Sequence, residues 1–306
     1  APSAEREFFG PFARDAARGG GITYDNNRIF AVTGFGTAHA LSAEDGSLLW
    51  TESLGDPFRS APTAANGRFF AITSDNQTLA FAQNDGRVLW REQAIAEPAA
   101  VLTSPSPAIS GNVLVAPFSS GEVVAMRVDN GSILWSDSLT RTGNMTALTE
   151  LSDIAGSPVI DRDLVFAISH SGRMVGINLR TGARAWTRDI GGVQTPWVAG
   201  DYIFIVTADQ EVVCLRRNDG AVRWLTELPK FEDPDDREDP IEWSGPMLLG
   251  DRLILVSSEE QAVSLSPYTG EMLGAIDLPD PVFLPPIAAN GTMYVLTDDA
   301  RLVAFR

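Results

Sequence analysis

The stretch Gly121-Glu-Val-Val-Ala-Met-Arg-Val-Asp-Asn-Gly-Ser-Ile-Leu-Trp135 decides the fold. Val123 to Met126 is an apolar, strand-like run, Ile133 to Trp135 is its returning partner, and Asn130-Gly131 between them predicts a two-residue type I′ hairpin turn. The same pattern recurs. Thr37 to Leu41 leads through Asp45-Gly46 to Trp50, and Gln77 to Phe81 through Asp85-Gly86 to Trp90. Arg173 to Ile177 leads through Thr181-Gly182 to Trp186, and Glu211 to Leu215 through Asp219-Gly220 to Trp224. In a sixth copy Gln261 to Leu265 leads through Thr269-Gly270 to Gly274, where the tryptophan is lost.

Counted from Trp to Trp the period is roughly 38 to 51 residues, the range in which each unit is one small sheet of a propeller or solenoid. Each hairpin is preceded by an apolar strand: Arg28 to Val32, Arg68 to Ile72, Val113 to Ala116, Leu164 to Ala167, Tyr202 to Val206 and Leu253 to Val256, with Met293 to Leu296 in a last unit. Before most of these stands a dipeptide ending in proline, at Pro62, Pro107, Pro158, Pro196, Pro246 and Pro286. Proline is tolerated at the first residue of a strand, so these segments are expected to open a first strand. Four strands per repeat make a blade, and the expectation is an all-β propeller of four-stranded antiparallel blades, seven units being visible.

Uniform repeats favour one domain over residues 1–306, with residues 1–20 as a linker or the remnant of a blade. The units end near Trp50, Trp90, Trp135, Trp186, Trp224, Gly274 and Arg306. Five tryptophans at one repeat position read as packing between blades. A formal net charge of −17 argues against nucleic acid and against attraction to anionic lipid, so a charged partner should be basic. No apolar run approaches the length of a membrane span, and no secretory signal begins at Ala1. Cys214, the single cysteine, alternates like a strand residue and reads as a buried, inert thiol.

Little in the sequence points to catalysis. The triplet Gly19-Gly20-Gly21 is not followed by Lys-Ser or Lys-Thr and reads as linker, and Gly34-Phe35-Gly36 as a turn. His39 and His170 are the only histidines; the first alternates within a strand and the second is expected exposed in a turn. No serine sits in a nucleophile elbow, and no catalytic residue, cofactor site or metal site is assigned. The acidic stretch Phe231 to Trp243 lacks the turn glycine and terminal glutamate of a calcium loop and reads as solvated.

Three connections between blades are long, after Trp90, Trp135 and Trp224, and long loops on a rigid scaffold are where binding concentrates. The first exposes Val101 and Leu102. The second carries the amphipathic run Leu148 to Ile154. Together, the rim of Pro98 to Ser104 and Leu148 to Ala155 is the expected partner site, with Val101, Leu102 and Leu151 giving buried area and Asp153 a charge.

The repeat Leu-x-Ala-Leu/Phe-x-x-x-Asp-Gly-x-x-Leu-Trp resembles the pyrroloquinoline-quinone-like propeller repeat. Within it, Leu151 to Ile160, Leu164 to Ala167, Ala289 to Val295 and Arg301 to Phe305 resemble the BamB family, lipoprotein subunits of the outer-membrane β-barrel assembly machine. That resemblance implies a non-enzymatic scaffold on the periplasmic face of a Gram-negative outer membrane, tethered through an N-terminal lipidated cysteine. It implies docking on the periplasmic domains of the barrel-inserting, BamA-like subunit, and encounters with unfolded outer-membrane proteins. Asp153 matches an acidic contact position of the family; two residues on, where another acid is usual, stands Ala155. No arginine follows the Val101-Leu102 pair, which aligns with the family's leucines. Two other readings share the repeat. A quinone-dependent dehydrogenase would need a vicinal cysteine pair and a calcium site, and a sensor or ligand-binding propeller needs neither. The family pattern has eight blades, so the resemblance leads one to expect a blade missing from the front, a fourth strand for the last unit supplied from the N-terminal side, and a gap about one blade wide.

Overall fold

A computed structural model of the chain describes residues 19–95, 105–140, 154–233 and 235–306. Within them, strands fall into six four-stranded sheets, one three-stranded sheet and a small two-stranded hairpin. In every sheet the strands lie in sequence order, each beside the next. This is an all-β propeller architecture with seven blades, the seventh being Ile287–Ala289, Thr292–Leu296 and Leu302–Phe305. The expected apolar strands appear where the sequence put them, for instance at Arg68–Ile72 and Tyr202–Val206.

Burial follows strand position. The second strands are buried over most of their length, Leu164–Ile168 throughout, because a neighbouring sheet can cover either face, and they therefore read as continuous apolar runs. Fourth strands such as Leu48–Ser53 alternate between exposed and half-buried, and they carry the repeat tryptophans.

The described residues form two compact units. One comprises residues 19–95, 105–116 and 126–133. Its larger core packs the first blade on the second through Phe30, Phe58, Phe69, Leu79 and Phe81, and a second cluster joins Phe70, Leu114 and Val128. The other unit comprises residues 117–125, 134–140, 154–233 and 235–306. Its cores lie between blades four and five, five and six, and six and seven, around Phe166 and Val213, Phe204 and Leu255, and Val256 and Val295.

The tryptophans tie each of the first five blades to its successor by a repeated device. The indole N–H of Trp50 donates to Gln83 O at 3.0 Å, Trp90 to Val128 O at 2.9 Å and Trp135 to Leu179 O at 2.8 Å. Trp186 donates to Arg217 O at 2.9 Å and Trp224 to Pro267 O at 3.1 Å. Each ring also lies against the hairpin glycine of the next blade, so closely that a Cβ at Gly182 would come within 2.6 Å of Trp135. Across the strands the ring belongs to a fixed row. Trp50 sits opposite Ala40 and Ala40 opposite Phe30; Trp186 sits opposite Gly176 and Gly176 opposite Phe166. The small middle residue lets the two rings approach, with centroids 6.2 and 5.9 Å apart.

Three expectations are corrected. The hairpin turn is not type I′. Gly131 N–H donates to Arg127 O and Arg127 N–H to Ser132 O, both at 2.9 Å, so four residues close the loop. Gly131 alone is left-handed, with φ of 75°, while Asn130 is absent from the left-handed residues and instead accepts the Ser132 N–H at 3.0 Å through its side chain. Asp45, Asp85 and Asp219 do the same two residues ahead, the reason Asp or Asn precedes the glycine. Secondly, Gly20 and Gly21 are not linker, since they begin the first blade's opening strand, Gly20–Asp25. There Gly20 lies against Val32 O and Gly21 against Ala61, too near for a side chain. Thirdly, proline mostly stands just before the first strand; in the sixth blade it lies inside the strand Trp243–Leu249, where the register shifts between Ser244 and Met247. Among the described residues the seventh blade has three strands; residues 1–18, which the sequence makes poor candidates for its fourth strand, lie outside them.

Candidate docking surface

Val101, Leu102, Leu151 and Asp153, the expected contact residues, all lie outside the described residues. The structure does define the frame from which the second expected segment departs and to which it returns. The fourth strand of the third blade, Ile133–Ser138, runs into buried Leu139, whose N–H donates to Gly121 O at 2.8 Å. Thr140 O then accepts from Arg173 Nη1 at 2.7 Å. On the return side Ile154 is fully buried, donates to Phe118 O and bridges Ser169, while Ala155 N–H donates to Ile168 O. Ile154 and Ala155, counted within the expected contact rim, are thus core residues.

Beside this frame lies a recess of about 640 Å³. Val213, Val222 and Leu225 contribute its apolar lining, and Asp189, Asp209 and Glu211 its carboxylates. These acids come from three places: Asp189 from the exit of the fourth blade, Asp209 from a turn in the fifth, and Glu211 from the strand that follows. His170 completes the wall; it occupies a turn as expected, but is half-buried rather than exposed, and among the described residues no partner reaches its buried Nδ1. Sequence reading missed this cluster because its members are scattered over turns. The one available signal was that Ser169-His170 and Thr207-Ala208 occupy equivalent positions in consecutive repeats.

The remaining candidates serve the fold. Phe231–Asp233 and Glu238–Pro240 pair as an exposed hairpin within the acidic loop, and Asp233 Oδ1 accepts the N–H of Asp235 and of Asp236 at 3.0 and 3.2 Å. Among the described residues no three His, Cys, Asp or Glu side chains gather as a metal site. Cys214 is buried, and desolvation pushes its thiol up to about 11, the charge of Arg223 partly opposing the shift, so it is a protonated packing group at neutral pH. His39 is held between Thr51 and Thr37, each hydroxyl 3.0 Å from a ring nitrogen. Arg217, although buried, is satisfied by Asp161 at 2.6 Å and Asp163 at 2.8 Å. With one cysteine, this sequence contains no vicinal cysteine pair of the kind a quinone-dependent dehydrogenase would need.

Tryptophan-ended repeats in blades whose strands follow sequence order define a propeller of the pyrroloquinoline-quinone-like repeat class. The family model described as outer membrane protein assembly factor BamB matches residues 6–226, and the chain belongs to that family. The outer membrane protein assembly factor BamB of Escherichia coli strain K12 is 33% identical over 205 residues, covering 67% of this chain and 52% of the relative. The crystal structure of BamB from Moraxella catarrhalis superposes with a TM-score of 0.83 at 17% identity, over 94% of this chain and 84% of that one. A europium-containing methanol dehydrogenase also matches, with a TM-score of 0.68 at 12% identity over 94% of this chain and 76% of that one. Both structural likenesses show the fold alone. The chain spans about half the length of the first curated relatives it matches.

Proposed function

We propose that this chain is a non-enzymatic scaffold that assists assembly of β-barrel proteins into the outer membrane, acting at its periplasmic face. It docks on the periplasmic domains of a barrel-inserting subunit through the rim that holds Val101, Leu102, Leu151 and Asp153. The observation that carries this reading is the family match over residues 6–226. The chemistry agrees with it. A chain of net charge −17 with Asp189, Asp209 and Glu211 around one recess favours a basic partner surface, and apolar Val213, Val222 and Leu225 supply area that such a partner can bury. Affinity-tagged chain added to a detergent extract of Gram-negative outer membranes is expected to retain the barrel-inserting subunit, and to release it as salt is raised. Retention of no outer-membrane subunit, or a visible-band shift with quinone and calcium followed by alcohol oxidation, would overturn the proposal.

A further inference from the structure

The fifth and sixth blades each have all four strands, yet a space that is filled between the fourth and fifth stands open between them. One position per blade accepts the indole N–H of the blade before it, and in blades two to six this is Gln83, Val128, Leu179, Arg217 and Pro267. In blades two to five its own N–H donates to the first hairpin of the same blade, at Gly67, Asn112, Asp163 and Asp201 O, over 2.8 to 3.1 Å. Pro267 has no N–H to give. Where the side chain is polar it also reaches back to the preceding blade. Gln83 Nε2 donates to Asp25 Oδ2 at 2.7 Å. Arg217 donates to Asp161 Oδ2 at 2.6 Å, to Asp161 O at 2.7 Å and to Asp163 Oδ1 at 2.8 Å, with its guanidinium carbon 5.9 Å from the centre of the Phe166 ring. Pro267 can do neither, and a cavity of about 480 Å³ lies between the two blades.

We infer that this cavity binds a guanidinium group, supplied by free arginine or by an arginine side chain of a partner. The place that Arg217 fills is repeated one blade on with its occupant removed. Phe204 holds the register place of Phe166, Ala199 that of Asp161, and Asp201 that of Asp163. The ring, the strand-end carbonyl and one of the two carboxylates are therefore kept. The carboxylate lost at Ala199 is offset by Asp251, which the sixth blade adds to the wall. Tyr202 replaces Leu164 and brings a second aromatic face, Trp224 and Tyr268 two more. Aromatic faces and oxygen acceptors are what a planar cation needs. The wall holds one cation of its own, the exposed Arg223, while Asp251 Oδ1 accepts from Tyr268 Oη at 3.2 Å. Asp201 Oδ1 lies 3.5 Å from Arg162 Nη1, a looser pair than the 2.8 Å between Asp163 and Arg217, and so stays open to a further donor. A net charge of −17 draws cations toward the surface in general. The cavity's volume is in the range of small-molecule sites. The site rests on repeat geometry alone and is independent of the assembly reading.

Ligand-observed NMR with N-acetyl-argininamide tests the site, N-acetyl-citrullinamide, which keeps the shape and loses the charge, being the control. The arginine probe is expected to bind saturably and at least about tenfold more tightly than the control. Pro267→Arg, which restores the internal guanidinium of the preceding blade, should weaken it at least about tenfold. Asp201→Asn, at an exposed position where folding is not at stake, should weaken it at least about threefold. Thermal unfolding checks that each variant is folded. A blocked Gly-Arg-Gly peptide that binds more tightly than free arginine assigns the source to a polypeptide, and one that does not assigns it to the free amino acid. Absence of saturable binding, equal binding of the citrulline control, or binding unchanged in either folded variant would overturn the site.

Discussion

Trp186 concentrates at one residue what holds successive blades together. Its ring packs 5.9 Å from Phe166, its N–H satisfies Arg217 O, and its face lies on Gly220. Trp186→Ala should cost about 3–5 kcal/mol as a large-to-small core change. Trp186→Phe should cost less, about 1–3 kcal/mol, much of it for leaving the carbonyl without its donor. Urea midpoints of the two variants check both values. His39 supplies a pH dependence of defined sign. Burial lowers its pKa from the ordinary value, so as pH falls the unfolded chain takes up the proton first and stability is lost on acidification below about 6.5. The urea midpoint should fall less between pH 7.5 and 5.5 in His39→Gln than in the parent; equal slopes would count against this role. At this scale the sequence spoke unevenly. A tryptophan recurring at one repeat position announces packing, and Val212-Val213-Cys214-Leu215 announces a buried thiol, whereas the half-burial of His170 depends on turns of two blades whose meeting no local pattern encodes.

The hairpin shows where reading by element succeeds and where it fails. Strands and their partners were legible because buried apolar runs and Asp-Gly or Thr-Gly punctuation recur in step. The turn type was not, since the same dipeptide serves a two-residue type I′ loop and a four-residue loop whose last residue is left-handed. The choice is made by the side chain before the glycine, which bonds forward to the backbone, and by the preceding blade's tryptophan, which needs a residue without Cβ beneath it. Two glycines separate these demands. Gly46 has φ of 72° with open space around it, so Gly46→Ala should cost only the left-handed strain, about 1–2 kcal/mol. Gly182 has φ of 73° and Trp135 upon it, so Gly182→Ala should cost clearly more. Equal losses in thermal or urea unfolding would show that the ring does not set the glycine requirement.

For the molecule as a whole, the repeat made the architecture and the family readable, and the match over residues 6–226 agrees with the resemblance carried by Leu151 to Ile160. The docking chemistry was less readable. The expected contact residues sit on connections between blades that follow no period, and the recess of Asp189, Asp209 and Glu211 arises only when separate turns converge. The central proposal is that the rim expected to hold Val101, Leu102, Leu151 and Asp153 docks on a barrel-inserting subunit, and its most direct test is the affinity of purified chain for that subunit's periplasmic domains, parent against Asp153→Ala. Truncating one partner of a buried, hydrogen-bonded charge pair typically costs about 2–5 kcal/mol, so the variant should bind at least about thirtyfold more weakly while its thermal unfolding is unchanged. A variant that binds as tightly as the parent would contradict the account.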